Sequence, residues 1–205
     1  MKKIKFLKNN FLRVIEKLPG VNLQQVLKVH GKFFLIVPKN GTRTIRNAFL
    51  KEYGLSLNDE WYYITFHTKK SLINLLNSEE LVLVTRDPLL RLQSCWKQKI
   101  GQSRDQTFLA YFFLYYPFLK RDMSFNGFLK AISKIPPVLS EKHFRPIKIT
   151  VPIDNKNIVK VPIKQLNNFL DISSKEVANK TKKIEISQQQ REIFNELLLN
   201  RFEGE

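Results

Sequence analysis

Apolar and polar positions along the first half of the chain change period in a regular way. Residues 32–37 (KFFLIV) form a short, mostly apolar run closed by Pro38 and Gly41, and from Thr44 to Tyr53 apolar residues return at helical spacing. This pattern predicts a strand, a tight turn and a helix. Residues 61–66 are a second run of β-formers, with a helix predicted over 71–76. Residues 81–85 (LVLVT) read as a strand buried on both faces, and helical spacing resumes over 89–100 after Asp87-Pro88. Three strands separated by helical segments predict βαβ units, and with them an α/β fold with a central parallel sheet flanked by helices.

The second half is more helical, with helices predicted over 106–116, 125–135, 163–170 and 187–202. Between them, 147–161 holds two β-rich runs separated by Asp154, Asn155 and Asn157, which fits a hairpin or a strand returned to the sheet. The first 18 residues predict a short basic amphipathic helix, because Lys5, Lys8, Asn9, Asn10 and Arg13 interrupt every apolar run before a signal-peptide core forms. The longest apolar stretch, 109–119, contains Pro117 and falls well short of the roughly 20 residues a spanning helix needs. No membrane span is expected, and peripheral membrane contact stays open. With no repeat, low-complexity tract or Gly/Ser linker, 1–205 reads as a single domain.

Charge narrows the partners without choosing one. Lys and Arg number 35 against 18 Asp and Glu, a formal net charge of +17. Such an excess favours an anion, whether nucleic acid, membrane surface, phosphorylated nucleotide or acidic glycan. The single cysteine, Cys95, excludes an intramolecular disulfide and a multi-cysteine zinc site, suits a reducing compartment and makes the cytoplasm the expected location.

Two local constellations carry chemistry. Pro38-Lys39-Asn40-Gly41-Thr42-Arg43-Thr44 lies between a predicted strand and a predicted helix. Backbone N–H groups at a helix N-terminus form an anion site, Gly41 permits close approach, and Lys39, Asn40, Thr42, Arg43 and Thr44 surround it. The lysine precedes the only glycine, so this is not a Walker A loop. The plainer alternative is a basic surface turn. The second constellation, Val84-Thr85-Arg86-Asp87-Pro88-Leu89-Leu90-Arg91-Leu92-Gln93-Ser94, again joins a strand end to a helix. Arg86 is expected at the C-terminal edge of the sheet, where open α/β folds bind ligands, with Ser94 about two helical turns on. The alternative is a surface Arg86-Asp87 ion pair with Ser94 merely solvated.

Together these residues resemble the PAPS-dependent sulfotransferases, where PAPS is 3′-phosphoadenosine 5′-phosphosulfate, and above all the carbohydrate (Golgi-type) branch and its bacterial relatives. Lys39, Gly41, Thr42 and Thr44 match a PKxGxT-like loop that in that family binds the 5′-phosphosulfate. Arg86, Asp87, Pro88, Arg91, Leu92 and Ser94 match an RDPxxRLxS segment that binds the 3′-phosphate. Weaker similarities follow at Ser124-Phe125-Asn126-Gly127-Phe128 (SFxxF) and His143-Phe144-Arg145-Pro146 (HWxP), with a vaguer one at Asn179-Lys180-Thr181. Arg43, Ile45 and Val161-Pro162 depart from the family pattern, which has a small residue, a Trp and an acidic residue there. So does the lack of a membrane anchor. The resemblance implies a P-loop-like sulfotransferase fold, PAPS as sulfuryl donor, no metal, and a hydroxyl of a carbohydrate or glycan as acceptor.

Sulfuryl transfer needs an acceptor hydroxyl in line with sulfur, a base for its proton, and positive charge on the departing phosphate. The resemblance gives Lys39 the last role. Of the three histidines, His30 reads as structural. His67 ends the second predicted strand and is the first candidate base, expected at the same sheet edge as Lys39 and Arg86. His143 is the second candidate. Glu60, Glu79, Glu80 and Glu141 are carboxylate alternatives. Lys97, Lys99, Arg104 and Arg145 are candidates for binding an acidic acceptor, and Tyr111, Phe112, Phe113, Tyr115, Tyr116 and Phe118 are expected to pack in a core rather than stack on sugars. The competing readings are a basic nucleic-acid-binding protein, disfavoured because no RNA-recognition, helix-turn-helix or zinc pattern is present, and a catalytically inactive sulfotransferase-fold binding protein.

Overall fold

Val29 and Lys32 flank the tightest turn of the sheet, and His30 and Gly31 between them both have positive φ (49° and 74°). That is the two-residue geometry whose twist matches paired antiparallel strands. The hairpin joins β1 (Gln24–Val29) to β2 (Lys32–Ile36). The computed structural model describes residues 11, 12, 15, 18, 20–57, 59–101, 114–172 and 185–205. Most of the basic N-terminal segment, most of 106–116 with Tyr111, Phe112 and Phe113, and also Arg104 and Asn179-Lys180-Thr181, lie outside the described residues.

From β2 the chain enters α1 (Thr42–Glu52), a 3-10 turn (Asp59–Tyr62), the short strand β3 (Thr65–His67) and α2 (Lys69–Leu76). Strand β4 (Leu81–Thr85) leads into α3 (Pro88–Trp96), which continues as a π-helical turn (Lys97–Gly101). Beyond lie α4 (Phe125–Ile132), β5 (Ile158–Pro162), the short α5 (Leu166–Phe169), and the C-terminal helices α6 (Gln188–Leu197) and α7 (Leu199–Phe202).

The five described strands form one sheet in the order β3-β1-β2-β4-β5. The protein is α/β, but the sheet is mixed. β2, β4 and β5 are parallel, while β1 pairs antiparallel with both β2 and β3. The expectation of a wholly parallel sheet fails because β1 (QQVLKV) opens on two glutamines and shows no run of β-branched residues to announce it. Its pairing with β2 across a two-residue turn is a local event that removes the need for a crossover. Of the strand expected over 61–66 only Thr65 and Phe66 are strand, Trp61 and Tyr62 closing the 3-10 turn, and of 147–161 only β5 is strand, Ile147–Ile149 being 3-10.

Apolar side chains divide among three clusters. α1 lays Ile45, Ala48 and Phe49 on one sheet face against Leu27, Phe34, Val82 and Val84. On the other face Leu72 and Leu76 of α2 pack on Val26, Leu35, Leu81 and Leu83. The third cluster contains no strand residue; Leu89, Leu92 and Cys95 of α3 meet Phe125, Phe128 and Leu129 of α4 and Phe194, Leu198 and Phe202 of the C-terminal helices. Tyr116 joins it, edge-on to Phe144 at 5.6 Å with its hydroxyl donating to the Leu139 carbonyl at 2.6 Å, whereas Tyr115 and Phe118 are exposed.

Candidate functional site

The first loop leaves the C-terminal end of β2 in an unusual conformation. Lys39 (φ 72°) and Gly41 (φ 76°) are both left-handed. Besides the backbone bond from the Asn40 N–H to the Val37 carbonyl (3.2 Å), two side-chain bonds hold the turn: Asn40 Nδ2 donates to the Val84 carbonyl at 2.8 Å, tying the loop to β4, and Thr42 Oγ1 donates to the Val37 carbonyl at 2.8 Å. A Cβ on Gly41 would collide with the Leu166 side chain, so the glycine is required by packing as well as by its φ. Gly41→Ala is expected to destabilise the fold by about 2 kcal/mol, the sum of left-handed strain and the displaced leucine. Chemical denaturation measures this, and a change under about 0.5 kcal/mol would mean that the loop relaxes at no cost.

That conformation leaves α1 without a cap. In the other described helices of eight or more residues a side chain closes the N-terminus: Thr68 accepts from the Ser71 N–H, Asp87 from Leu90, Ser124 from Gly127 and Ser187 from Gln190. Gly41 has no side chain, no acidic residue lies in the first turn, and the N–H groups of Thr42, Arg43 and Thr44 point out of the helix with the dipole behind them. Thr42 and Thr44 are partly buried there and Arg43 is exposed.

β4 lies beside β2 and runs the same way, so its following loop reaches the same end of the sheet. Arg86 Nη1 donates to the Lys39 carbonyl at 3.0 Å and pins the two loops together. Asp87 is the N-cap of α3, accepting from the Leu90 N–H at 3.0 Å. Ser94, partly exposed, lies two turns along α3, and one turn further Gln98 Oε1 accepts from Lys39 Nζ. Lys97, also partly exposed, opens the π-helical turn. Burial, reinforced by the charges of Lys99, Arg43 and Arg86, lowers the Lys39 ammonium to about 8. Cys95 pulls the other way only as a thiolate, and burial pushes its thiol up to about 12, so at neutral pH it offers no relief.

The two candidate bases sit differently. His67 pairs with Gln24 at the end of β1 that neighbours Ile36, so it does share the sheet end of Lys39. It is two strands from β2, about 10 Å across the sheet, and its Nε2 is within 2.9 Å of Thr65 Oγ1. Burial lowers its imidazole below the usual histidine value. His143 lies beside the third cluster, where Glu141 receives both its backbone N–H (2.7 Å) and its Nδ1 (2.7 and 2.9 Å to the two carboxylate oxygens). Burial lowers the His143 imidazole to about 4 against the pull of Glu141. Burial would raise the Glu141 carboxyl, but the charge of His143, its two hydrogen bonds and Lys142 outweigh it and hold the group at about 2. At neutral pH both shifts describe one state, a carboxylate accepting from a neutral imidazole.

Other expectations change. Arg145 is buried; its Nε donates to the Ser140 carbonyl (2.8 Å) and Nη1 to the Val21 carbonyl (3.0 Å), so it holds backbone together rather than standing open to an acceptor. Asn40 is likewise spent on structure, its side chain on the Val84 carbonyl and its backbone N–H on the Val37 carbonyl at 3.2 Å, so it holds the loop rather than facing a ligand. Glu60 is buried 3.8 Å from Arg46, and Glu79 and Glu80 precede β4 at the opposite sheet end from Arg86. His30 is a turn residue. Gln98, bound to Lys39, was not anticipated; its spacing of four from Ser94 is the helical signal that points to it.

A cleft of about 530 Å³ opens between Asp87 and Pro88 of the second loop and the C-terminal residues Arg191, Phe194 and Leu199; Lys39 and His143 are not among its lining residues. Among the described residues no helix is long and apolar enough to cross a membrane, and no three His, Cys, Asp or Glu side chains gather as metal ligands. No protein-family model, curated protein or solved structure matches this chain.

Proposed function

We propose that this protein is a PAPS-dependent sulfotransferase that places a sulfuryl group on a carbohydrate hydroxyl and releases 3′-phosphoadenosine 5′-phosphate, within a P-loop-like sulfotransferase fold. The reading is carried by one observation: the uncapped N-terminus of α1 and Arg86 stand side by side at the ends of two adjacent parallel strands, joined by the Arg86–Lys39 bond. Unsatisfied amides, a lysine and an arginine at the C-terminal edge of a parallel sheet suit a phosphorylated nucleotide. The order and loop contexts of both motifs agree with the family they resemble.

In this scheme the amides of Thr42, Arg43 and Thr44 and the ammonium of Lys39 hold the 5′-phosphosulfate end, and Arg86 with Ser94 holds the 3′-phosphate. Lys39 neutralises charge on the bridging oxygen as the S–O bond breaks. A dianion beside it raises the ammonium back above about 8, so the group is fully charged when needed. His67 and His143 are the candidate bases, and Lys97 is a candidate contact for an acidic acceptor.

Isothermal calorimetry tests the nucleotide assignment. 3′-Phosphoadenosine 5′-phosphate is expected to bind at least about tenfold more tightly than AMP, and Arg86→Ala to remove most of that preference because the lost contact is charge-assisted. Equal affinity for the two nucleotides overturns the assignment. Affinity for single-stranded nucleic acid that exceeds both and collapses with moderate salt would replace it with nucleic-acid binding.

A further inference from the structure

We propose that Glu141 and His143 act as one unit, with His143 Nε2 as the general base toward the acceptor hydroxyl and Glu141 as the positioning residue that fixes its tautomer and orientation. The inference rests on the sulfotransferase reading and deepens it.

The geometry sets the protonation pattern. An ionised carboxylate only accepts hydrogen bonds, so an Nδ1 at 2.7 and 2.9 Å from its two oxygens carries the proton, and Nε2 keeps its lone pair. Glu141 itself is anchored: its carboxylate is 5% exposed and also accepts the His143 backbone N–H. The imidazole is 16% exposed, enough for one edge to meet a substrate. His67 lacks such a partner set, its ring contact being the hydroxyl of Thr65 on its own edge strand.

The placement comes from α3 and its π-helical turn, which bridge the first loop and residues 141–145. At the turn, Gln98 accepts from Lys39 Nζ. On α3, Arg91 donates both terminal nitrogens to the Arg145 carbonyl at 3.1 Å. Lys99, next to Gln98 in the π-helical turn, lowers the proton affinity of both Lys39 and His143, so its charge reaches the leaving-group lysine and the imidazole alike. π-helical turns inside α-helices are frequent at functional sites.

The step balances. The acceptor oxygen attacks sulfur as its proton passes to His143 Nε2; the S–O bond to the phosphate breaks, and its electron pair stays on the phosphate oxygen beside Lys39. The imidazolium that forms is stabilised by Glu141 and afterwards releases its proton to water. The charged and titratable groups facing the pair are Lys142 beside it, Lys99 from the π-helical turn, and Cys95, Tyr116 and Arg145 around Glu141.

The test uses the full chain, radiolabelled PAPS, and two acceptor polymers, unsulfated chondroitin and heparosan, with nucleotide affinity measured in parallel. His143→Gln is expected to lower kcat about a hundredfold or more with unchanged affinity for 3′-phosphoadenosine 5′-phosphate. Glu141→Gln, which keeps the shape and one acceptor oxygen but removes the charge, is expected to lower kcat at least about tenfold and move the acid limb of the pH–rate profile to lower pH, because the anion no longer favours the imidazolium. A merely structural role for Glu141 leaves that limb in place. Nitrogen-resolved NMR of the imidazole is expected to show the Nδ1–H tautomer at pH 7 in the wild-type protein. Near-normal transfer by His143→Gln, an unmoved acid limb in Glu141→Gln, or an Nε2–H tautomer overturns the unit and leaves the sulfotransferase reading standing. No transfer by the wild-type protein and no preference for the 3′-phosphorylated nucleotide overturns both.

Discussion

Replacing Lys39 with methionine is expected to lower sulfuryl transfer about a thousandfold while leaving the protein more stable than before. The loss follows from the lysine's role beside the departing oxygen, since single groups aimed at developing charge contribute about a hundred- to a thousandfold. The gain follows from the environment of the ammonium. It is partly buried, and Lys99, Arg43 and Arg86 all repel it, which lowers its folded value to about 8 from an unfolded value near 10.4. A lysine whose folded value is depressed binds fewer protons folded than unfolded between those two values. Its charge therefore costs stability at neutral pH, and the cost fades as pH rises from about 8 toward about 10.4. Methionine removes the charge and keeps the length, so thermal unfolding at pH 7 is expected to shift upward by the equivalent of about 1 kcal/mol, with the gain shrinking as pH rises from about 8 toward about 10.4. Transfer retained within tenfold would remove Lys39 from the chemistry. A fall in stability would mean that its bond to Gln98 outweighs the repulsion.

Arg91→Ala is expected to be the most damaging single change to the fold, at about 3–5 kcal/mol. Arg91 is fully buried beneath the Phe202 ring, at 5.3 Å from its centroid, and donates to Glu205 Oε2 at 2.9 Å as well as to the Arg145 carbonyl. Alanine leaves a carboxylate and a carbonyl buried without their donor and opens a cavity among α3, α7 and residues 145–147, where Glu205 also accepts from the Ile147 N–H. Urea titration of the variant measures the loss. Arg91→Met combined with Glu205→Gln is expected to recover a large part of it, because the second change removes the stranded charge and the first refills the space. A single-variant loss under about 1 kcal/mol would show that the ion pair is not what holds the C-terminal helices. The same experiment divides the RDPxxRLxS segment by role. Nucleotide affinity is expected to follow Arg86 and Ser94, and folding to follow Asp87, as helix cap, and Arg91.

Segments whose rules are local could be read from the order of amino acids alone. β2, β4 and the helices after them were legible because an apolar run closed by Pro38-Lys39-Asn40-Gly41 or by Asp87-Pro88 needs only its own residues to be read. The two basic loops stood out for the same reason, each lying between a strand and a helix start. What needed tertiary structure was everything set by partners distant along the chain. β1 is a strand because β2 folds back on it, which turns the expected parallel sheet into a mixed one and moves His67 two strands from Lys39. Gly41 is required partly by Leu166, 125 positions later in the numbering, and Asn40 and Arg145 bind backbone carbonyls of remote segments, which no spacing rule encodes. Glu141 and His143 are two residues apart, but their meaning came from burial, since a carboxylate and an imidazole in water are merely neighbours. Removed from water and hydrogen-bonded, they fix each other's protons, and only the packing of α3 against residues 141–145 decided that.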